Sequence, residues 1–184
     1  MMFLAHGGEV ACNTGAMEAG PTGRKRGGTP ISVDQLAVTI SAASDHGRSL
    51  VVAVCLEALW RKRSLRSALI RLAVVGFSSL LVNVTIKRLV GRTRPAGSAE
   101  KRRGVRTPSS SSFPSGHTLA AAAAGVALPP TTLGASGGLL AASAVGWSRV
   151  RLEAHHQSDV LGALVIGAGL GVGLRSLIRW LERE

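Results

Sequence analysis

Near its C-terminal end the chain reads WSRVRLEAHHQSD from Trp147 to Asp159, with His155 and His156 adjacent and Asp159 just beyond. On a helix, residues four apart share a face, so His155 and Asp159 would meet while His156 is turned about 100° away. A carboxylate on one imidazole nitrogen fixes the tautomer and leaves the other nitrogen as a nucleophile. Another histidine, His117, stands in the stretch SSSSFPSGHT from Ser109 to Thr118, ahead of an alanine-rich run. Ser115 and Gly116 fall where the first backbone N–H groups of a helix point outward. Such a terminus binds anions through those groups and through its dipole, and glycine lets a ligand approach the backbone closely. A third cluster, KRLVGRTRP from Lys87 to Pro95, ends an apolar run. Gly91 and Pro95 imply that the helix stops there, so the chain can fold Arg94 back beside Lys87.

Read alone, each cluster has an ordinary explanation. Basic residues at a helix end anchor it at an interface. Ser115 would be a helix cap with an incidental histidine beside it, and the histidine pair a polar loop. A metal site built from His155, His156 and Asp159 is a further option, but no HExxH pattern, cysteine spacing or carboxylate cluster supports it. Together the clusters hold Lys87, Arg94, Arg149, Ser115, Gly116, His117, His155 and Asp159. That is the inventory of phosphoryl transfer through histidine: cations and backbone donors around the phosphate oxygens, one imidazole to attack, another to handle the leaving group's proton.

The elements that must position these residues are apolar helices. Apolar runs cover about residues 49–60, 67–86, 117–128, 131–147 and 160–178, each near or below the ~20 residues that span a bilayer. Pro129-Pro130 predicts a tight turn between the third and fourth. Residues 31–46 predict a short interfacial helix. Aromatic residues make up only 3% of the chain while glycine is abundant, which suits closely packed membrane helices. Gly167 and Gly171, like Gly169 and Gly173, have the GxxxG spacing of a helix-packing face. Arg71 and Arg175 lie near the ends of apolar runs and are expected to snorkel to the interface. The fold expected is therefore all-α, a polytopic membrane bundle of about five transmembrane helices.

The formal net charge of +12 would suit nucleic acid, anionic lipid or a phosphorylated substrate. Basic residues here bracket apolar runs and are not interleaved with stacking aromatics, which argues for membrane and against nucleic acid. Residues 1–30, rich in glycine and carrying Arg24-Lys25-Arg26, read as a flexible basic tail. They lack the apolar core of a secretory signal peptide. Residues 31–184 form the expected membrane domain. Cys12 and Cys55 fit no metal or redox spacing.

With these residues in place, the chain closely resembles the type 2 phosphatidic acid phosphatase superfamily of membrane lipid phosphatases. The family pattern is KxxxxxxRP, then PSGH, then SRxxxxxHxxxD. It reads here as Lys87…Arg94-Pro95, Pro114-Ser115-Gly116-His117 and Ser148-Arg149…His155…Asp159, in order and without a gap. The resemblance implies that His155 is a nucleophile forming a phosphohistidine, with Asp159 orienting it. His117 would protonate the leaving alkoxide and then activate water. Lys87, Arg94, Arg149, Ser115 and the Gly116 N–H would hold the phosphoryl oxygens, with no metal and no cofactor. His156 is expected at the rim of the site. Members of the family commonly have six membrane helices, one more than the runs counted here.

The substrate class this implies is a phosphorylated lipid in a bacterial plasma membrane. It would be a prenyl-linked phosphoribose phosphate of cell-wall synthesis, or alternatively undecaprenyl diphosphate or phosphatidylglycerol phosphate. Lys101, Arg102, Arg103 and Arg106, beside the site in sequence, would bind a second phosphate, draw in anionic headgroups, or form a solvated loop. Both faces of the bundle are basic, so charge asymmetry leans only slightly towards a cytoplasmic active site, and one further membrane pass would move the tail to the other side. Two other classes remain as contrasts: a vanadium haloperoxidase, which shares a related anion site, and a non-catalytic polybasic membrane protein.

Overall fold

Ser32 opens the first helix by a reciprocal cap. Its hydroxyl accepts from the Gln35 N–H at 3.1 Å, and the Gln35 side chain accepts from the Ser32 N–H at 2.8 Å. The structure, a computed structural model, describes residues 32–95 and 110–183. The basic tail 1–30 with Cys12, and the basic loop residues Lys101, Arg102, Arg103 and Arg106, lie outside the described residues. Among the described residues six α-helices follow in order: α1 (Val33–Ser44), α2 (Arg48–Trp60), α3 (Leu65–Val90), α4 (Gly116–Ala127), α5 (Thr132–Arg151) and α6 (Gln157–Leu181). A short 3₁₀ turn, Asp45–Gly47, joins α1 to α2. Among the described residues there is no strand.

Local chemistry sets these boundaries. Ser64 caps α3 and Thr131 caps α5, each accepting a backbone N–H with its hydroxyl. Gly91 ends α3 with φ +60° and its N–H on the Lys87 carbonyl, the left-handed conformation that glycine adopts without a Cβ penalty. Pro129 and Pro130 fall between α4 and α5, as the turn reading requires.

α4 is the hub. It packs on α3, α5 and α6, and its face of Leu119, Ala122, Ala123, Ala124, Val126 and Ala127 is buried. The contact with α6 is backbone-close. A Cβ added at Gly167 would lie 2.5 Å from the Leu119 carbonyl oxygen, and one at Gly171 would lie 2.7 Å from that of Ala123. Gly169 and Gly173 have open space there. Only the Gly167–Gly171 spacing is therefore a packing face.

Among the described residues two helices, α3 and α6, are long and apolar enough to cross a bilayer. Their apolar side chains point outward: Phe77 is 69% and Val165 74% exposed. A soluble protein of this size would not leave such faces wet. The expectation of about five spanning helices meets three that fall short on length or hydropathy. At 1.5 Å per residue, α2 and α4 reach only about 20 Å, less than the ~30 Å hydrocarbon core. α5 has the length, but its glycines and arginines lower its hydropathy.

Arg71 corrects another expectation. It does not snorkel: its side chain is 5% exposed. Its guanidinium donates to both Glu182 carboxylate oxygens at 2.8 Å and to the Leu128 carbonyl at 3.5 Å, and Glu57 lies 3.6 Å away. This network ties α2, α3 and the end of α6 together at the end of the bundle remote from the histidines. Arg175 likewise turns inward, donating to the Val126 carbonyl.

Candidate active site

The chain from Ser110 to Pro114 lies across the end of α3, and its carbonyls collect three side chains of the motifs. Arg94 Nε donates to the Ser110 carbonyl at 3.0 Å and Lys87 Nζ to that of Ser111 at 2.5 Å. His155 Nδ1 lies 2.7 Å from the carbonyl of Ser112. All three side chains thus meet a backbone carbonyl of the serine run. The Ser112 N–H closes the loop onto the Arg92 carbonyl at 2.8 Å.

A carbonyl only accepts, so His155 carries its proton on Nδ1 and presents Nε2 as a lone pair. Nε2 lies 3.3 Å from Arg94 Nη1, and His155 lines a cavity of about 310 Å³ together with Lys87, Arg94, Gly116, His117 and Arg149. Burial, then the charges of Arg94, Arg149 and Lys87, push the His155 imidazole down to about 3, against the opposing pull of the Ser112 carbonyl. At neutral pH it is an uncharged base beside three cations.

Asp159 stands behind this arrangement, fully buried. α6 begins at Gln157 with His156 as its N-cap, so His155 is not on the helix and the shared-face expectation does not hold. His155 Nδ1 and Asp159 Oδ2 are 3.7 Å apart. Asp159 Oδ2 accepts instead from the Ser112 hydroxyl and from the His156 N–H at 2.8 Å. The His156 ring nitrogen Nδ1 lies 3.2 Å from the same oxygen. Its other oxygen takes Arg92 Nη1 at 2.7 Å, and Arg92 also holds the Ser158 hydroxyl at 2.7 Å. Asp159 reaches His155 through the Ser112 loop. His156, expected at the rim, is a half-exposed helix cap on Asp159.

His117 opens α4 and points into the cavity, its Nε2 2.9 Å from Asp45 Oδ1 in the turn between α1 and α2. Arg149 is buried and donates to the Ser41 hydroxyl of α1. The helix expected at the interface therefore supplies two partners to the site. Ser115 is fully buried: its hydroxyl pairs with Thr118 Oγ1 at 3.0 Å and its N–H donates to the Asp159 carbonyl at 3.2 Å. Gly116 lines the cavity against Asn83, and a Cβ there would lie 3.0 Å from the Asn83 amide nitrogen.

Of the residues named from sequence, Lys87, Arg94, Gly116, His117, Arg149 and His155 converge on one cavity, while Ser115 and Asp159 stand behind it. Sequence reasoning missed Ser41, Asp45, Asn83, Arg92 and Ser112. Arg92 and Ser112 lie inside quoted motifs and could have been weighed as partners for Asp159. Ser41, Asp45 and Asn83 carry no local signal. Among the described residues, no three His, Cys, Asp or Glu side chains are grouped to hold a metal ion.

A second, larger groove of about 550 Å³ opens between α2, α4 and α5, and it shares Ser49, Leu50 and Ala120 with the site cavity. Its walls include Ala53, Leu56, Trp60, Leu128 and Val145. An apolar space thus continues directly from a cationic one.

The PAP2 superfamily model matches residues 67–183, which takes in all three motifs and more than half of the chain. The chain belongs to the PAP2 superfamily. Among solved structures it resembles the PAP2-type transmembrane phosphatidylglycerolphosphate phosphatase of Bacillus subtilis, at 25% identity and a TM-score of 0.61, over 82% of this chain and 77% of that one. No curated protein sequence matches. The PAP2 neighbour and the outward apolar faces of α3 and α6 make this a membrane protein of the all-helical phosphatase fold.

Proposed function

We propose that the protein is a metal-independent lipid phosphate phosphatase of a bacterial plasma membrane, working through a phosphohistidine on His155. The observation that carries this reading is the His155 imidazole, with Nδ1 on the Ser112 carbonyl and Nε2 beside Arg94 in a cavity ringed by Lys87 and Arg149. The lone pair on Nε2 attacks phosphorus, and the bond from phosphorus to the alcohol oxygen breaks. His117, protonated when the anionic phosphate is bound, gives that oxygen its proton and becomes neutral. A water, deprotonated by His117, then attacks phosphorus; the phosphorus–nitrogen bond breaks, phosphate leaves and His155 regains its lone pair. Lys87, Arg94, Arg149 and the Gly116 N–H stabilise charge on the phosphoryl oxygens throughout. Ser115 and Asp159 keep the PSGH loop and the Ser112 carbonyl in place.

Family membership and the neighbouring structure support a phosphorylated lipid as substrate, and the adjoining apolar groove suits its tail. The candidates are a prenyl-linked phosphoribose phosphate of cell-wall synthesis, undecaprenyl diphosphate, and phosphatidylglycerol phosphate, the last favoured by the name of the Bacillus subtilis neighbour. The test is phosphate release by the detergent-purified protein in excess chelator. Release is expected from the wild type, and its loss from His155→Ala. Normal turnover by that variant would overturn the mechanism, and activity only with vanadate and peroxide would move the assignment to a haloperoxidase.

A further inference from the structure

Inward from the phosphate site, the cavity runs along one face of α3 that is polar where the helix is otherwise apolar. Lys87, Asn83 and Ser79 are spaced four residues apart, each about 6 Å from the next along the axis, and all three line the cavity. Ser79 is 3% exposed. Its hydroxyl, and the amide oxygen of Asn83, are buried and have no hydrogen-bond partner among the described residues. In a membrane helix a hydroxyl or amide without a partner is costly. A mid-helix serine would ordinarily satisfy itself on its own backbone, as Ser143 does on the Leu139 carbonyl at 2.9 Å. Ser79 does not. Asn83 sits at the phosphate end, its amide nitrogen 3.0 Å from where a Cβ on Gly116 would stand at the start of α4.

We infer that Ser79 and Asn83 form a subsite for a hydroxylated leaving group. The substrate is then a lipid phosphomonoester whose leaving group bears a free hydroxyl one or two carbons from the esterified carbon, as in a glycerol or furanose pentose headgroup. With phosphate between Lys87, Arg94 and Arg149, that hydroxyl falls one helical turn along α3. It donates to the Asn83 amide oxygen, and a neighbouring polar group of the headgroup bonds the Ser79 hydroxyl. An alcohol with only a hydrocarbon next to the ester leaves both groups buried and unpaired, which is the strongest form of discrimination a polar pocket offers. The inference rests on the phosphatase reading above and narrows its substrate: phosphatidylglycerol phosphate and a prenyl-linked phosphopentose phosphate carry such a hydroxyl, while phosphatidic acid and a plain prenyl phosphate do not.

The experiment compares kcat/KM within two pairs of matched tail: phosphatidylglycerol phosphate against phosphatidic acid, and prenyl phosphoribose phosphate against prenyl monophosphate. The wild type is expected to favour the hydroxylated member of at least one pair by about tenfold or more, and the pair that shows it identifies glycerol or pentose. Ser79→Ala is expected to shrink that ratio while leaving turnover of the hydroxyl-free member within about twofold, which also reports that the variant folds, and Asn83→Ala is expected to shrink the ratio as well. Equal loss on both members, or a wild-type preference for the hydroxyl-free lipids, overturns the subsite. Phosphate release from none of the four overturns the subsite, and if undecaprenyl diphosphate is not hydrolysed either, the phosphatase reading falls with it.

Discussion

His155 Nδ1 and the Ser112 carbonyl oxygen are 2.7 Å apart, and the hydroxyl of that same serine is hydrogen-bonded to Asp159. One residue therefore joins the reactive imidazole to the buried carboxylate, by its backbone on one side and its side chain on the other. A direct imidazole–carboxylate bond would tend to raise the basicity of the ring. A carbonyl fixes the same tautomer without adding a full negative charge.

If Asp159 acts through Ser112, the two residues are energetically coupled. Ser112→Ala keeps the carbonyl and loses the anchor, so kcat is expected to fall by about tenfold, the worth of one charge-assisted hydrogen bond. Asp159→Asn should cost more, because Arg92 and the His156 N–H also lose their acceptor charge. The double variant should be little worse than Asp159→Asn alone. Additive losses in a double-mutant cycle would show that the two act separately.

Arg92 is the cation nearest Asp159, at 2.7 Å, although the motif draws attention to Arg94. Arg92→Ala is expected to lower both kcat and thermal stability, with Arg92→Lys intermediate because it keeps the charge and loses the second hydrogen bond to Ser158. Since the Arg92 side chain is 38% exposed, solvent screening holds the stability loss to about 1 kcal/mol. A wild-type kcat in Arg92→Ala would remove it from the positioning chain.

Asp45 holds the ring of His117. Asp45→Ala is expected to lower kcat by about tenfold or more with KM nearly unchanged, since the contact serves proton transfer and not phosphate binding. Asp45→Asn, which still offers an oxygen to Nε2, should retain more activity. A KM effect without a kcat effect would place Asp45 in substrate binding instead.

Much of the site was legible because residue identity and spacing carry it. The Lys87–Arg94 pair, the Gly116-His117 turn and the Arg149–His155 spacing converge as the motifs imply. The Pro129-Pro130 turn and the Gly167–Gly171 face were equally legible, since each follows from one or two backbones. Misread was the start of α6. Histidine is not a usual N-cap, so the spacing of His155 and Asp159 looked like a continuous helix until His156 proved to be the cap. Arg71 misled for a related reason: its partners Glu57 and Glu182 come from two other helices, and no local pattern announces a buried ion pair. Asp45 and Ser41 reach the site because α1 folds back on α5, a tertiary contact that no period or motif encodes.

The buried, uncharged state of His155 makes stability depend on pH. Its folded value is about 3, against about 6.5 for the unfolded chain. Between those values the unfolded state binds the proton and the folded state does not, so this group's contribution to stability is lost as pH falls from about 6.5 towards 3. The melting temperature in detergent is expected to drop over that range, and less steeply in His155→Gln. Parallel curves for the two proteins would contradict the assignment.

The Arg71 network predicts a stability effect separate from catalysis. Arg71→Met removes the buried cation between Glu182 and Glu57 and leaves Arg63, 2.9 Å from Glu57 and 3.5 Å from Glu182, as their remaining shared partner, at a cost of about 1–3 kcal/mol. A fall in melting temperature is expected, with kcat per folded molecule near the wild-type value. An unchanged melting temperature would make the network incidental.

The most direct test of the mechanism is to trap the intermediate with a lipid carrying a labelled terminal phosphate, quenched in alkali within the first turnover. The account predicts an acid-labile, alkali-stable label that maps to the peptide containing His155 and is absent from His155→Ala. Label on His117 or His156, or full turnover by His155→Ala, would contradict it.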